Sequence, residues 1–239
     1  MIFVAILAGG KGTRVGTNVP KQFLNLGDKP ILIRTIDAFV NSKLVDFVYV
    51  SVNEMWLEYT QDLLSKYYDE AQLKTFKVIC GGKERMMSFL NVIYDIRNTV
   101  GIRDEDMILS HDAVRPFVSF EIIKDCIEKT REFGVAMASI PSADTTYCAM
   151  KEGFLTGTYD RKLLWYGQTP QGCGLKLMND VICSYTEDEL LKMTGTSQLF
   201  INRNIDVKIS LGSGDNLKIT TLQDIDFSEY IYNNKTDNK

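Results

Sequence analysis

Histidine is almost missing from this chain: His111 stands alone among 239 residues. A centre built on several imidazoles is therefore excluded, and so is a catalytic histidine anywhere else. Cysteine is sparse and unpatterned. Cys80, Cys126, Cys148, Cys173 and Cys183 are odd in number and form no Cys-x-x-Cys, so neither a disulfide framework nor a zinc ribbon is indicated. Reduced thiols and a cytoplasmic setting are expected. No apolar run approaches the ~20 residues of a membrane span. The start shows no basic stretch followed by an apolar core, so no secretory leader is expected. Cationic excess is also lacking: 27 Lys and Arg face 31 Asp and Glu, for a net charge of −4. A broad nucleic-acid footprint is therefore not expected, and each local cluster of basic residues has to be read as a site feature. No Gly-x-Ser-x-Gly elbow occurs, since Leu211 precedes Ser213 where glycine is needed.

The most informative segment is the opening. Phe3–Leu7 is a short apolar run with the character of a buried strand. It stops at Ala8-Gly9-Gly10-Lys11-Gly12-Thr13-Arg14. Glycines there let the backbone turn tightly and approach a ligand. With Lys11, Arg14 and, further on, Lys21, the segment offers free amides and cations to phosphate oxygens. Spacing removes two common readings. A dinucleotide fingerprint counted from Gly10 and Gly12 reaches Val15, with Gly16 one residue late, which argues against a Rossmann oxidoreductase. A Walker A loop would need glycine at Ala5 and Ser or Thr at Gly12.

Downstream, strand-like and helix-like segments alternate. Strands are expected at 45–52, 76–80, 107–110, 135–140 and 207–211, and helices at 30–40, around 56–67, at 87–96, behind an N-cap at Ser119, and from about Leu222. This rhythm predicts an α/β fold, a Rossmann-like mostly parallel sheet with helices on both faces. The clusters Gly9–Arg14, Gly81–Arg85 and His111–Arg115 each follow a strand, where such sheets bind ligands. Residues 141–165 break the rhythm. Two β-runs flank Lys151-Glu152-Gly153, and they predict a projecting β-hairpin arm. The expectation is a single domain over 1–232 and a polar tail over 233–239.

Leu7-Ala-Gly-Gly-Lys-Gly-Thr-Arg14 with Pro20-Lys-Gln-Phe23 resembles the signature of nucleotidyltransferases. With Gly81-Gly-Lys-Glu-Arg-Met-Met-Ser88 and Ser110-His-Asp-Ala-Val-Arg-Pro-Phe117, the chain resembles the cytidylyltransferases that make CDP-methylerythritol or CDP-ribitol, from residue 2 to about 228. Val114, Phe117 and Tyr166–Gln171 lie closer to the ribitol 5-phosphate branch.

The resemblance implies that Arg14, Lys21 and Lys218 neutralise charge on a CTP triphosphate. Leu7, Ala8, Gly9, Gly10, Gly12, Thr13, Gly81, Gly82, Arg85 and Ser88 would bind the nucleotide. Asp112 would hold Mg²⁺ and approach the acceptor, with Thr145, Arg161 and Thr169 binding the polyol phosphate. His111 is read as a structural hydrogen-bonding neighbour of the site, and Arg115 as either a phosphate ligand or a structural ion pair, with the structural role favoured. The arm implies a homodimer. Two positions depart from the family pattern. Thr194-Gly-Thr-Ser197 stands where acidic residues are usual, and Gly172-Cys173 stands where an aromatic is common. The first departure leaves a non-catalytic nucleotide-binding protein as a rival reading.

Overall fold

A computed structural model describes residues 1–10 and 19–236. β1 (Ile2–Ala8) opens the fold, followed by a small hairpin of β2 (Asn25–Leu26) and β3 (Lys29–Pro30). Then come α1 (Ile31–Ser42), β4 (Phe47–Val52), α2 (Leu57–Tyr67), α3 (Glu70–Leu73), β5 (Phe76–Cys80), α4 (Arg85–Thr99) and β6 (Met107–Asp112). The second half holds α5 (Phe120–Phe133), β7 (Val135–Pro141), β8 (Tyr147–Cys148), β9 (Gly157–Thr158), β10 (Trp165–Gly174), α6 (Leu175–Ile182), α7 (Glu187–Leu191), α8 (Thr196–Ile201), β11 (Lys208–Leu211) and α9 (Leu222–Thr236). Seven strands form one sheet in the order β11-β7-β10-β6-β1-β4-β5.

β1 shows why the sheet has helices on both faces. Successive side chains of a strand point to opposite faces. Val4, Ile6 and Ala8 enter one core with Ile36 and Phe39 of α1, Leu63 of α2 and Ile123 of α5. Phe3, Ala5 and Leu7 enter the other with Phe89 and Ile93 of α4, Met178 of α6 and Phe200 of α8. A strand buried on both faces reads as a continuous apolar run rather than an alternating one, which is how Phe3–Leu7 reads. Ser119 caps α5 as expected, its side chain accepting from the Ile122 amide.

Several details differ from the sequence reading. β6 runs on to Asp112, because Leu7 pairs with Asp112 in the parallel register of β1 and β6. β10 was not expected. It lies antiparallel between β6 and β7, with a register irregularity between Gly167 and Gln171. α9 continues to Thr236, through the break expected after 232. The Asn234 side chain folds back on that helix, its Nδ2 donating to the Tyr230 carbonyl at 2.9 Å. The hairpin is present, with strands shorter than expected: Tyr147 pairs with Thr158, Cys148 with Gly157, and Lys151 bridges to Phe154. Among the described residues no helix is long and apolar enough to cross a membrane.

Candidate active site

The carboxyl ends of β1, β5 and β6 border a cavity of about 520 Å³. Leu7, Ala8, Gly9, Gly10, Lys21, Gly82, Arg85, Ser88, Asp112 and Lys218 line it, all of them expected site residues. Arg14, Gly12 and Thr13 lie outside the described residues. Gln22 fixes the entry to the phosphate segment. Its side chain is 3 % exposed, and its Nε2 donates to the Ala8 carbonyl at 2.7 Å and the Gly10 carbonyl at 3.2 Å. One amide thus ties the end of β1 and the first glycines to the turn that carries Lys21.

The opposite wall is the loop after β5. Ser88 Oγ accepts from the Gly82 amide at 3.1 Å and lies 3.2 Å from the Glu84 carbonyl, to which it donates. A Cβ on Gly82 would fall 2.2 Å from Met87 Cβ, and one on Gly81 would fall 2.8 Å from Ser88 Oγ. Both glycines are therefore required by close approach. Gly81 itself packs behind the cavity, with its amide on the Val52 carbonyl at 2.6 Å. Lys83, Glu84, Val114 and Thr220 also line the cavity. Sequence reasoning did not place them there, although Lys83 and Glu84 fall inside the Gly-Gly-x-x-Arg segment.

Asp112 is the hub. It is 6 % exposed, and three cations surround its carboxylate. Arg85 Nε donates to Oδ1 at 3.0 Å, Lys218 Nζ lies 2.9 Å from Oδ2, and Arg115 Nε lies 3.5 Å from Oδ2. Burial alone would push this carboxyl up. The combined attraction of Arg85, Lys218 and Arg115 outweighs it and holds the group well below the usual carboxylate range. The cluster keeps a surplus of positive charge, which suits phosphates, in a chain that is acidic overall.

Below the hub a second cavity of about 360 Å³ shares Arg85, Asp112 and Lys218 with the first. Thr169, an expected substrate residue, lines it, and its Oγ1 accepts from the Asp112 amide at 3.2 Å. Gln168, Gln171, Gly195, Ser197 and Gln198 add neutral polar lining. Thr145 and Arg161 are not brought to either cavity of their own chain. Both are exposed on the arm, and Arg161 Nη1 donates to the Ala143 carbonyl at 3.0 Å.

Two further residues adjoin the hub, and one of them, Arg115, also lines the second cavity. His111 is fully buried edge-on to Phe39, and its Nε2 donates to the Arg115 carbonyl at 3.2 Å. Burial lowers its pKa to about 4, so it is neutral at pH 7 and unsuited to proton transfer there. Arg115 is buried and donates to the Asn216 carbonyl at 2.6 Å. That bond anchors the segment leading to Lys218.

Among the described residues no group of three or more His, Cys, Asp or Glu gathers to hold a metal. The donor set at the hub is the single carboxylate of Asp112. That fits a hard cation such as Mg²⁺, which commonly takes one or two carboxylates and completes its shell with substrate phosphates and water. It does not fit an all-protein cage.

Comparison with known proteins gives the family. The family described as "IspD: 2-C-methyl-D-erythritol 4-phosphate cytidylyltransferase" matches residues 2–234. A ribitol-5-phosphate cytidylyltransferase from Streptococcus pneumoniae serotype 2 is 36% identical over 229 residues, spanning 94% of this chain and 96% of that protein. The crystal structure of a 4-diphosphocytidyl-2C-methyl-D-erythritol synthase from Anaerococcus prevotii superposes with a TM-score of 0.79 at 26% identity, covering 97% of this chain and 98% of that one. The 2-C-methyl-D-erythritol 4-phosphate cytidylyltransferase of Francisella tularensis gives 0.77 at 26% identity, covering 96% and 98%. The chain belongs to the IspD family and is a cytidylyltransferase, a nucleotidyltransferase enzyme.

Proposed function

We propose that this enzyme transfers the cytidylyl group of CTP to D-ribitol 5-phosphate, giving CDP-ribitol and diphosphate. The observation that carries the acceptor is the 36% identity to a ribitol-5-phosphate cytidylyltransferase along nearly the whole chain. A second reading, 2-C-methyl-D-erythritol 4-phosphate as acceptor, is favoured by the names of the structural neighbours.

The two joined cavities support the same chemistry for either acceptor. An oxygen of the acceptor phosphate attacks the α-phosphorus of CTP. The new O–P bond forms as the bond to the β-phosphate bridge breaks, and diphosphate leaves with the electron pair. The attacking phosphate is already anionic, so no base is needed, in keeping with a neutral, buried His111. What the protein supplies is positioning and charge neutralisation. Lys21 and Lys218 line the larger cavity and neutralise the triphosphate. Arg14, outside the described residues, joins them. Asp112 would hold a magnesium ion, which when bound would neutralise charge on the phosphates. Gly82 and Ser88 shape the base end, and Thr169 faces the acceptor.

The arm supports a homodimer. Met150, Phe154, Leu155 and Leu163 are exposed on it, and such an apolar surface is typical of an interface. Thr145 and Arg161 meet neither cavity of their own chain, so an acceptor-orienting role for them requires a second copy.

Diphosphate release measured across nucleotides and polyol phosphates tests the reading. Turnover with CTP and ribitol 5-phosphate is expected, and turnover with methylerythritol 4-phosphate alone would overturn the acceptor. Lys21→Ala should lower kcat/KM by about a hundredfold, the usual scale for one lost electrostatic contact to the reacting phosphates. Full activity would remove that role. A monomeric mass in solution would refute the dimer.

A further inference from the structure

The geometry points to α9 as a strut that fixes the spacing of Lys21 and Lys218 across the larger cavity, with Tyr232 and Arg34 as positioning residues at its far end. The inference rests on both lysines meeting the triphosphate, as proposed above, and holds for either acceptor.

The near end of α9 is tied to Lys218. Ile219 is fully buried, and its amide donates to the Val114 carbonyl at 2.9 Å. Asp224, in the first turn of the helix, then accepts from the Thr220 amide at 2.7 Å, the Thr220 hydroxyl at 2.6 Å and the Thr221 amide at 2.8 Å. The far end is tied to the hairpin that follows Lys21. The Leu24 amide donates to the Lys21 carbonyl at 3.1 Å, and β2 begins at the next residue. At the hairpin tip, Glu229 Oε1 accepts from the Gly27 amide at 2.9 Å, and the Tyr232 hydroxyl donates to Asp28 Oδ1 at 3.1 Å. The Tyr232 ring covers Arg34, whose Cζ lies 3.9 Å from the ring centroid. Arg34 in turn donates to the Leu26 carbonyl and to Asp28. Gly27 has a φ of 61°, and a Cβ there would fall 2.3 Å from Tyr232 Cε1, so tip and helix touch directly.

The helix between Asp224 and Tyr232 spans about 12 Å. One small core backs all of these parts. Leu26, Ile31, Val114 and Ile219 form it, with Leu24, Ile225 and Tyr232 packed against it. Close packing of this kind transmits displacement instead of absorbing it. The ion pair of Arg34 with Asp28 adds little, since Asp28 is largely exposed. The ring over the mostly buried Arg34 is the stronger part of the tie.

The test uses the full chain with Tyr232→Leu and Tyr232→Phe. Leucine still packs on the small core but offers no ring to Arg34, whereas phenylalanine loses only the bond to Asp28. Calorimetry gives the CTP Kd well below every Tm, and thermal unfolding gives the Tm. Tyr232→Leu should weaken CTP binding by about three- to tenfold, and Tyr232→Phe by less than about twofold. Arg34→Met, which removes the cation from under the ring, should act in the same direction as Tyr232→Leu. In a Lys21→Ala background the Tyr232→Leu change should cost less, because Tyr232 acts through that lysine. A lowered Tm with a wild-type CTP Kd for both Tyr232→Leu and Arg34→Met would reduce α9 to a stabilising element and overturn the inference. An equal effect in both backgrounds would overturn it too. Wild-type CTP binding by Lys21→Ala alone would instead remove the role given to Lys21, and the inference with it.

Discussion

Replacing His111 by glutamine should flatten the acid limb of this protein's stability curve. In the unfolded chain the imidazole takes a proton near pH 6.5. In the fold, burial holds its pKa at about 4. A base whose folded pKa is depressed contributes stability that is fully present above the unfolded value and lost as pH falls toward the folded one. The window is therefore about pH 6.5 to 4. At 1.36 kcal/mol per pKa unit, the loss across it is about 3 kcal/mol. For a domain of this size that corresponds to roughly 6–12 °C in Tm.

Glutamine can keep a donor toward the Arg115 carbonyl but loses the edge contact with Phe39, so the variant should melt lower at pH 7.5 and fall less on acidification. The assay is urea or thermal unfolding of both proteins at half-unit steps from pH 8 to 4. The difference curve cancels carboxylates common to both. Asp112 does not intrude. Its depressed carboxyl contributes stability above the ordinary carboxylate range and loses it only at lower pH. Parallel curves for the two proteins would refute the claim that His111 is held neutral. The same reasoning predicts that kcat shows no ionisation from this residue between pH 6 and 8.

Gln22→Glu should be isosteric but repulsive, because a carboxylate oxygen would face the Ala8 and Gly10 carbonyls. A buried carboxyl there raises its pKa, so its stability is greatest below the unfolded value near 4.3 and is lost as pH rises through the folded one. We expect about 2 kcal/mol of destabilisation at pH 8 from the lost hydrogen bonds, a smaller deficit at pH 5, and a raised KM for CTP. A variant with wild-type KM and no pH-dependent deficit would show that the tie does not position the loop. Gly172→Ala should cost about 1–3 kcal/mol by overpacking, since its Cβ would meet Thr130 Oγ1 at 2.2 Å and Leu109 Cδ2 at 3.0 Å. Chemical denaturation would read this as a lowered midpoint with unchanged slope, and Thr130→Ala in the same chain should restore part of it.

What could be read from the chain depended on how local the cause was. β1 and the glycines that end it, Gly9 and Gly10, were legible because the strand is apolar throughout and the glycines follow at once. Of the three strand-end clusters, the described members Gly9, Gly10, Gly82, Arg85 and Asp112 are brought to one cavity by the sheet. β10 was not. Its sequence, Trp165-Tyr-Gly-Gln-Thr-Pro-Gln-Gly-Cys-Gly174, has three glycines, a proline and no alternation, and only pairing with β6 and β7 makes it a strand. The cations of the site could be anticipated from their motifs. Their arrangement could not, because the Ser110–Thr196 contact joins hydroxyls 86 residues apart, of a residue type that occurs everywhere. Thr145 and Arg161 show the converse, since both fit the motif order and neither meets a cavity of its own chain.

The two departures from the family pattern acquire physical readings that weigh against a non-catalytic protein. Gly172 stands where α5 presses Thr130 onto β10, which leaves no room for a side chain. Its neighbour Cys173 is buried in the opposite core beside Val135 and Leu175. These are packing solutions and leave the cavities alone. The segment Thr194–Ser197 does reach the second cavity, and it is built in rather than eroded. Thr196 holds Arg85, while the Ser197 amide and hydroxyl both bond Gln171 Oε1, at 3.1 and 3.3 Å. A carboxylate in this stretch would add negative charge beside Arg85. Without one, Asp112 is the only acid among the described residues lining that cavity, against Arg85, Arg115 and Lys218. The neutral segment therefore leaves the cavity more cationic, as an enzyme that must hold a second phosphate beside a triphosphate requires.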